Sequence, residues 1–313
     1  MSGLPRIAVL CNNRMAIPSI QSLHASGHLC ATGVPAQNED VQPFCEMFAA
    51  QTGTPCTRFG KENLKEHLET WLVSCRADYV FIMTFPWRIP TVLLNERPGV
   101  FYNFHYGPLP EMRGADPIFE SIRQQKAETG ITVHAVTERI DAGPQLFKQI
   151  IPLDFDMTHG YLCTQMSYLS PRILPAVLQN LQNEKNQTES AVPTAETGGY
   201  YKKPGLKEVC INWNMQTASD VHALVRACNP WNKGAYTQWQ GWNIRIPYTA
   251  VVEGNTSEPP GTVLAADPQN GIRVQCKENI LKIEIIYTDE GFMPGHRLTT
   301  FGIKPGDRFS NFQ

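Results

Sequence analysis

The sequence has no long hydrophobic run and no excess of charge of either sign. Its longer apolar stretches, such as residues 79–85, are far shorter than the roughly 20 residues that a helix needs to cross a bilayer. The first residues lead directly into the short apolar run 7–10, without the extended apolar region of a secretory signal. The formal net charge of −2 gives no general attraction to nucleic acid or to acidic membranes. We therefore expect no association with a membrane.

The sequence also lacks the cysteine spacing of a metal or redox motif. There are 9 cysteines, an odd number, and no two of them are spaced as C-x-x-C. Several lie inside apolar runs, as Cys11 and Cys228 do. Free cysteine is among the most buried residue types, and disulfides are rare in reducing compartments. The pattern favours buried free thiols in a cytoplasmic protein.

The first part of the chain alternates short apolar runs with stretches of helical spacing. Strands are predicted at 6–11, 30–34, 78–84 and 99–105, and helices at 17–26, 41–51 and 62–74. Strands separated by helices indicate a mostly parallel, Rossmann-like sheet with helices on both faces. No G-x-G-x-x-G follows the first strand, so a dinucleotide site is not expected.

The pattern changes after residue 130. Two strand-like runs, plausibly antiparallel, and two helices are predicted at 130–137, 144–152, 158–169 and 171–183. Residues 183–199 are polar and without apolar periodicity, which indicates a linker. A helix at 217–227 then precedes short strands at 235–240, 242–246, 261–265, 271–276 and 281–287, a pattern typical of a small barrel. The predicted fold class is α/β, with a first domain at 1–185, a linker at 186–205 and a β-rich domain at 206–313.

The most unusual group of residues surrounds the predicted strand 99–105. Side chains alternate faces along a strand, so Asn103 and His105 point the same way. The run 107–110, Gly-Pro-Leu-Pro, cannot continue the sheet because each proline lacks an N–H. The chain must turn there, and the pair lies at the strand end where open α/β sheets bind ligands. By itself, a histidine beside such a turn is more often a structural hydrogen-bond donor.

Asp141 is the second candidate. It stands in the sequence Arg-Ile-Asp-Ala-Gly between two strand-like runs. An aspartate just before a glycine commonly forms a turn, and composition alone favours that reading.

Taken together, these features resemble the formyltransferase family, which includes methionyl-tRNA and sugar-nucleotide formyltransferases. The family carries Asn-x-His, a Leu-Pro turn, Arg-Gly-Ala-x-Pro at the start of a helix, Thr-Gly-Ile/Val-Thr, and an Asp near a Gly. This chain supplies those elements in order, at 103–105, 109–110, 113–117, 129–132 and 141–143. The similarity continues at 211–213, 226–231, 260–264 and 294–298, so the second domain resembles the family's OB-like C-terminal domain.

The resemblance implies an enzyme that transfers a one-carbon formyl group from 10-formyltetrahydrofolate to an amine. It assigns Asn103, His105 and Asp141 as the catalytic residues, and it implies no metal. It also places the folate near two segments, and the candidate cofactor-binding residues are Phe85, Trp87, Arg88, Ile89, Thr137, Glu138 and Ile140. The two aromatic side chains are about equally well explained as ordinary packing residues.

The acceptor amine is less clearly indicated. A tRNA substrate requires basic residues to neutralise phosphates, yet residues 35–42 contain none where tRNA formyltransferases carry a long basic loop. Residues 206–313 contain ten basic and ten acidic residues. We therefore expect a small-molecule or carrier-tethered amine, such as an amino sugar or an amino acid. Methionyl-tRNA is the alternative; a formyltetrahydrofolate hydrolase and a non-catalytic folate-binding module are less favoured.

Overall fold

The short apolar runs of the sequence become strands in the computed structural model, which describes residues 4–186, 199–269 and 271–311. The strands are, in chain order, β1 (Ile7–Cys11), β2 (Leu29–Pro35), β3 (Cys56–Phe59), β4 (Tyr79–Met83), β5 (Phe101–His105), β6 (Arg113–Gly114), β7 (Glu128–Ala135), β8 (Gln145–Pro152), β9 (Tyr200–Tyr201), β10 (Ala235–Trp239), β11 (Trp242–Val252), β12 (Val263–Asp267), β13 (Gly271–Gln275), β14 (Ile280–Thr288) and β15 (Gly291–Pro294). The α-helices are α1 (Ile17–Ala25), α2 (Gln42–Thr52), α3 (Leu64–Cys75), α4 (Thr91–Glu96), α5 (Pro117–Arg123), α6 (His159–Asn186), α7 (Leu206–Val209) and α8 (Ala218–Ala227). Short 3-10 helices span Arg14–Ala16 and Gly295–Phe301.

Two compact units divide the chain. The first takes Met1–Gly114, Thr129–Ile151 and Cys163–Tyr200. The second takes Ala115–Glu128, Pro152–Leu162 and Tyr201–Gln313. The linear division drawn from the sequence stays a prediction, and most of the predicted linker, 186–205, lies outside the described residues.

The first unit is built on a seven-stranded sheet in the order β3-β2-β1-β4-β5-β7-β8. β1 runs parallel to β2 and β4, β4 runs parallel to β5, and β7 is antiparallel to β5. This confirms the predicted mostly parallel, Rossmann-like sheet. The carboxyl ends of the parallel strands meet along one edge, where β5 ends at His105.

Close packing explains why residue 33, in β2, is a glycine. A Cβ at Gly33 would lie 2.6 Å from side-chain atoms of both Leu10 and Phe59. Real Cβ contacts are longer than this, so the position has no room for a side chain. Because Phe59 ends β3, the same contact helps to hold this short strand, which the sequence analysis missed.

The two helices predicted at 158–169 and 171–183 are in fact one helix, α6, with Pro171 and Pro175 inside it. The prediction of a break was wrong because a proline removes only one intrahelical hydrogen bond at its own position. Polar side chains of the same turns form other hydrogen bonds: Ser170 Oγ donates to the Met166 carbonyl over 2.8 Å, and Ser167 Oγ donates to Met15 over 3.0 Å. The helix therefore continues through both prolines, and Ser167 ties the same turn to Met15.

The second unit contains an antiparallel sheet in the order β10-β11-β14-β13-β12, with β15 paired to β14. Residues near 308–310 form single bridges to both edge strands, Ser310 with Gln238 and Arg308 with Thr262. A chain segment between the two edges is what closure into a small barrel requires. The predicted β-rich C-terminal region is confirmed.

Two further expectations, on membrane-spanning helices and on the cysteines, can be compared with the structure. Across the described ranges, no helix combines the length and hydropathy that a bilayer span needs. All 9 cysteines lie within those ranges and are free thiols. Those that are buried are Cys11, Cys45, Cys75, Cys228 and Cys276.

Candidate active site

β5 carries Asn103 and His105 on one face, at the carboxyl edge of the sheet. The strand is held on both sides, because it pairs with β4 and with β7. His105 is buried and Asn103 is half-buried. Two polar side chains are therefore held on a rigid strand, which positions them more accurately than a loop would.

The hydrogen bond of His105 determines which ring nitrogen is free. Its Nε2 lies 2.6 Å from the carbonyl oxygen of Met112. A carbonyl oxygen only accepts, so Nε2 carries the hydrogen, and Nδ1 lies 3.7 Å from Asp141 Oδ1. Burial lowers the pKa of His105, although the charge of Asp141 acts in the opposite direction. Near neutral pH the ring is thus uncharged, with the Nδ1 lone pair available beside a carboxylate.

Asp141 is fixed by its backbone and by one hydrogen bond. Its φ of 52° is in the left-handed region, which Asp adopts more readily than most residues. The Gly114 backbone N–H donates to its Oδ2 over 2.9 Å. Burial alone would raise the pKa of Asp141, but His134, His105 and the Gly114 N–H together lower it below its ordinary value. The side chain is therefore a carboxylate at neutral pH.

His134 joins this group, and the sequence analysis did not select it. Its Nδ1 lies 2.9 Å from the Ala135 carbonyl oxygen, so Nδ1 carries the hydrogen and Nε2 accepts. Asn103 Nδ2 donates to that Nε2 over 3.2 Å, and Asp141 Oδ1 lies 3.7 Å from the same atom. The available signal was the alternation of β7, which places Thr132 and His134 on one face. The pairing of Asn103 with His134 depends on the β5–β7 register, which local sequence does not report.

The turn after His105 is anchored on the two neighbouring strands. Thr132 Oγ1 donates to the Gly107 carbonyl over 2.9 Å and accepts from the Leu109 N–H over 3.1 Å. Lys148 Nζ donates to the Leu109 carbonyl over 2.7 Å. The prediction that the chain turns sharply after β5 is confirmed, and side chains of β7 and β8 hold the turn.

Residues 112–114 connect this turn to the segment that carries Asp141. Met112 accepts from His105 and Gly114 donates to Asp141, as described above. Between them, Arg113 Nη2 donates to the Ile140 carbonyl over 3.1 Å. Three successive residues therefore fix the imidazole, the loop backbone and the carboxylate in one geometry.

The first segment assigned to folate follows β4. Ile89 is buried, Phe85 and Trp87 are half-buried, and Arg88 is exposed. The rings of Phe85 and Trp87 pack edge to face, with centroids 5.3 Å apart, and Phe85 also contacts Phe59 at 6.2 Å. The aromatic rings thus pack against the protein core and still expose part of their surface.

The second segment assigned to folate leads to Asp141. Thr137 and Glu138 are exposed and Ile140 is half-buried. Val136, just before them, packs against the same core cluster as Phe85 and Trp87, and Ile89 belongs to that cluster. Both segments therefore contact one apolar core cluster, and apolar side chains near polar groups are typical of sites for planar ligands.

Within the part of the chain that the structure describes, no group of three or more His, Cys, Asp or Glu side chains is arranged to hold a metal ion. The polar group identified here consists of one amide, two imidazoles and one carboxylate. Such groups donate and accept hydrogen bonds and move protons.

Two family models match the chain. "Formyl transferase" matches residues 32–178, which include Asn103, His105, His134 and Asp141. "Formyl transferase, C-terminal domain" matches residues 206–295. Together they cover most of the chain.

Curated relatives support the same family. A methionyl-tRNA formyltransferase of Pseudoalteromonas translucida is 32% identical over 68% of this chain and 65% of its own length. One from Acetivibrio thermocellus is 28% identical over 94% of this chain and 97% of its own length.

Solved structures share the fold. An N-formyltransferase from Helicobacter canadensis, in complex with folinic acid and dTDP-3-aminofucose, has a TM-score of 0.64 at 13% identity, covering 92% of this chain and 100% of that one. HypX from Aquifex aeolicus with tetrahydrofolic acid has a TM-score of 0.61 at 17% identity, covering 99% of this chain. This chain spans 51% of that HypX chain. With both models of one family matched in order, the chain belongs to the formyl transferase family and is a folate-dependent formyltransferase.

Proposed function

We propose that the protein transfers the formyl group of 10-formyltetrahydrofolate to the primary amine of a small-molecule or carrier-tethered substrate, an amino sugar or an amino acid. The observation that carries the chemistry is the convergence of Asn103, His105 and Asp141 at the end of β5. The catalytic groups lie within the first proposed domain, 1–185. The proposed C-terminal domain, 206–313, contributes none of them.

The reaction requires a donor for the developing oxyanion and an acceptor for the amine proton. The amine nitrogen attacks the formyl carbon, and Asn103 has a second amide N–H to offer the carbonyl oxygen. The amine proton moves to His105 Nδ1, and Asp141 stabilises the resulting imidazolium. The bond from the formyl carbon to N10 then breaks, and N10 takes up the proton. The products are a formamide and tetrahydrofolate, so atoms and charge balance.

The tautomer of His105 supports this assignment. Because Met112 accepts from Nε2, the lone pair of Nδ1 faces the carboxylate and is free to take a proton. Burial keeps the ring uncharged before the reaction by lowering its pKa. His134 Nε2 accepts one of the two N–H groups of the Asn103 amide and so holds that amide in place.

The folate would lie between the two segments described above. Phe85, Trp87 and Ile89 would contact its planar ring, with Arg88 at the exposed end. Thr137, Glu138 and Ile140 would border it from the second segment. The shared core cluster beneath both segments supports this placement.

Pairing of basic side chains supports a small acceptor. Two of the basic residues near the carboxyl edge of the first unit's sheet, Arg14 and Lys148, have acidic partners. Arg14 Nε lies 2.7 Å from Asp40 Oδ1, and Lys148 Nζ lies 3.6 Å from Glu111 Oε2. A tRNA acceptor would need such side chains free for phosphates. The sugar N-formyltransferases among the solved structures of similar fold agree with this choice.

Methionyl-tRNA remains the second candidate because the curated relatives carry that name. The test is to incubate the protein with 10-formyltetrahydrofolate and to follow tetrahydrofolate release by absorbance. One arm contains charged methionyl-tRNA, and the other contains a panel of amino sugars and amino acids. Release with small amines supports the proposal, whereas release with tRNA alone contradicts it.

Two controls complete the experiment. Formate released without any amine would identify a hydrolase, and an unchanged folate in every arm would identify a non-catalytic binder. The Asp141→Asn variant, run in parallel, separates turnover at this site from a contaminating activity.

A further inference from the structure

Two acceptors compete for the single N–H hydrogen of the uncharged His105 ring. The Met112 carbonyl oxygen lies 2.6 Å from Nε2, and the Asp141 carboxylate lies 3.7 Å from Nδ1. A carboxylate is the stronger acceptor, because hydrogen bonds to ionised groups are stronger than those between neutral groups. In a Ser-His-Asp triad, for example, the aspartate keeps the hydrogen on Nδ1. The closer approach of the Met112 carbonyl therefore decides that the hydrogen is on Nε2 here.

The position of the Met112 carbonyl depends on the turn formed by residues 107–112. The Met112 N–H donates to the Pro108 carbonyl over 2.9 Å, so the turn closes on itself. Met112 and Leu109 are both buried in it. A displacement of the chain around Pro108 would therefore also displace the carbonyl that accepts from His105.

Thr132 holds the chain on both sides of Pro108. Its Oγ1 donates to the Gly107 carbonyl over 2.9 Å and accepts from the Leu109 N–H over 3.1 Å. Thr132 is fully buried on β7. Without this hydroxyl, a backbone acceptor and a backbone donor would both lose their partner in a place that water does not reach, which is costly.

Lys148 holds the same turn from β8. Its Nζ donates to the Leu109 carbonyl over 2.7 Å, and Gln145 Nε2 approaches the same oxygen at 3.3 Å. The bond from the ammonium is charge-assisted and shorter, so it is the stronger of the two. Lys148 Nζ also lies 3.6 Å from the exposed carboxylate of Glu111, and an exposed ion pair contributes little. The principal contact of Lys148 is therefore the backbone of the turn.

We propose that Thr132 and Lys148 are positioning residues that set the tautomer of His105. With the turn held, Met112 accepts the Nε2 hydrogen, and the Nδ1 lone pair faces Asp141. With the turn released, the hydrogen moves to Nδ1 and is donated to the carboxylate, and the lone pair is on Nε2 instead. The consequence for turnover rests on the proposed function, in which Nδ1 accepts the amine proton; the tautomer itself does not.

The test is ¹⁵N NMR of the full chain without substrate, at neutral pH and with ¹⁵N-labelled histidine. The chain has 8 histidines, and comparison with the His105→Gln variant identifies the signals of this ring. A ring nitrogen with a hydrogen and one with a lone pair have well-separated chemical shifts, so the tautomer is read directly. We expect the hydrogen on Nε2 in the wild type. A hydrogen on Nδ1 would overturn the proposal without any measurement of activity.

Thr132→Val keeps the shape of the side chain and removes its hydroxyl. It should raise the fraction of His105 rings with the hydrogen on Nδ1 about tenfold and lower kcat, because the turn loses two hydrogen bonds. Thr132→Ser keeps the hydroxyl and should retain the wild-type tautomer. An unchanged tautomer in Thr132→Val, or an equal shift in Thr132→Ser, would contradict the role of Thr132.

Lys148→Met is the second variant, and it should fold because β8 is an edge strand of the sheet. It should shift the tautomer in the same direction but only about threefold, since Gln145 still donates to Leu109. Glu111→Gln, the matched control, removes a charge from the same turn and should change neither tautomer nor turnover. Equal shifts in the two variants, or none in Lys148→Met, would contradict the role of Lys148. A shifted tautomer with unchanged kcat would support the positioning role and contradict Nδ1 as the proton acceptor.

Discussion

The two edges of the large sheet use hydrogen-bonding groups differently. At the carboxyl edge, His105 Nδ1 and His134 Nε2 both approach Asp141 at 3.7 Å, longer than a hydrogen bond, and one N–H of Asn103 is left for another partner. At the amino edge, the Arg6 N–H and guanidinium are satisfied by Asp78 and by two carbonyls at 2.8–3.1 Å. The polar groups with hydrogen-bonding capacity left over lie at the edge where we propose the chemistry takes place, whereas the groups at the amino edge have their partners within the fold.

The sharpest test of this contrast replaces one aspartate at each edge. Asp141→Asn should lower kcat/KM about 10³-fold, because the imidazolium formed on His105 loses its carboxylate. Asn tolerates the left-handed backbone at this position, so the fold should survive. Asp78→Asn should leave kcat/KM unchanged and lower the melting temperature by a few degrees. If both variants lost activity equally, measured as tetrahydrofolate release, the proposed difference between the two edges would be wrong.

Asn103 provides the next largest expected effect. Asn103→Ala removes the proposed oxyanion donor and should reduce kcat about 10²-fold. Asn95→Ala is the matched control, since Asn95 is exposed on α4. Steady-state kinetics at saturating folate measure both variants, and a fall in kcat of less than about twofold at Asn103 would remove it from the mechanism.

His134 acts through Asn103, so a smaller effect is expected. His134→Ala should lower kcat about tenfold, equivalent to roughly 1.4 kcal/mol, while the KM for folate stays unchanged. His134→Gln offers an oxygen that can accept from Asn103 Nδ2, and it should recover part of the loss. A purely structural role would instead lower the melting temperature of both variants alike and give no recovery.

The smallest expected effect is a shift in a pH profile. Burial lowers the pKa of His105, so its Nδ1 lone pair is lost only as the pH falls below the ordinary histidine value of about 6.5. Activity should therefore persist as the pH falls through the ordinary histidine pKa, and the loss of activity at acid pH should begin below that value. The charge of Asp141 raises the pKa of His105, so in Asp141→Asn the loss of the residual activity should move to still lower pH. A loss of activity that begins at or above the ordinary histidine pKa would contradict the assignment of His105 as proton acceptor.

Much of the fold was predictable because its strands are short, continuous apolar runs. β1, β4 and β5 are buried almost throughout, and their periodicity was readable without the structure. β3 was missed because Cys56–Phe59 is only four residues long and contains an arginine. The continuity of α6 across Pro171 was missed because proline was taken as a helix end, although the structure has both Pro171 and Pro175 inside the helix.

The candidate site was predictable where residues fall in a recognisable order. Strand alternation and the turn that follows drew attention to Asn103 and His105, but only the resemblance to the formyltransferase family assigned a catalytic role to them and to Asp141. His134 required knowledge that β7 lies antiparallel beside β5 in a particular register. Met112 accepts from His105 through its backbone carbonyl, so the identity of its side chain gives no sign of this contact.

The bridges of Ser310 and Arg308 to Gln238 and Thr262 have a consequence for synthesis of the chain. Residues 308–310 leave the ribosome long after β10 and β12, so both edge strands emerge before their common partner does. Until then the carbonyl of Gln238 and the backbone groups beside β12 at Gly261 and Val263 lack these partners, and unpaired strand edges are templates for aggregation. A chain truncated before residue 308 should therefore accumulate in inclusion bodies even though every proposed catalytic residue is present.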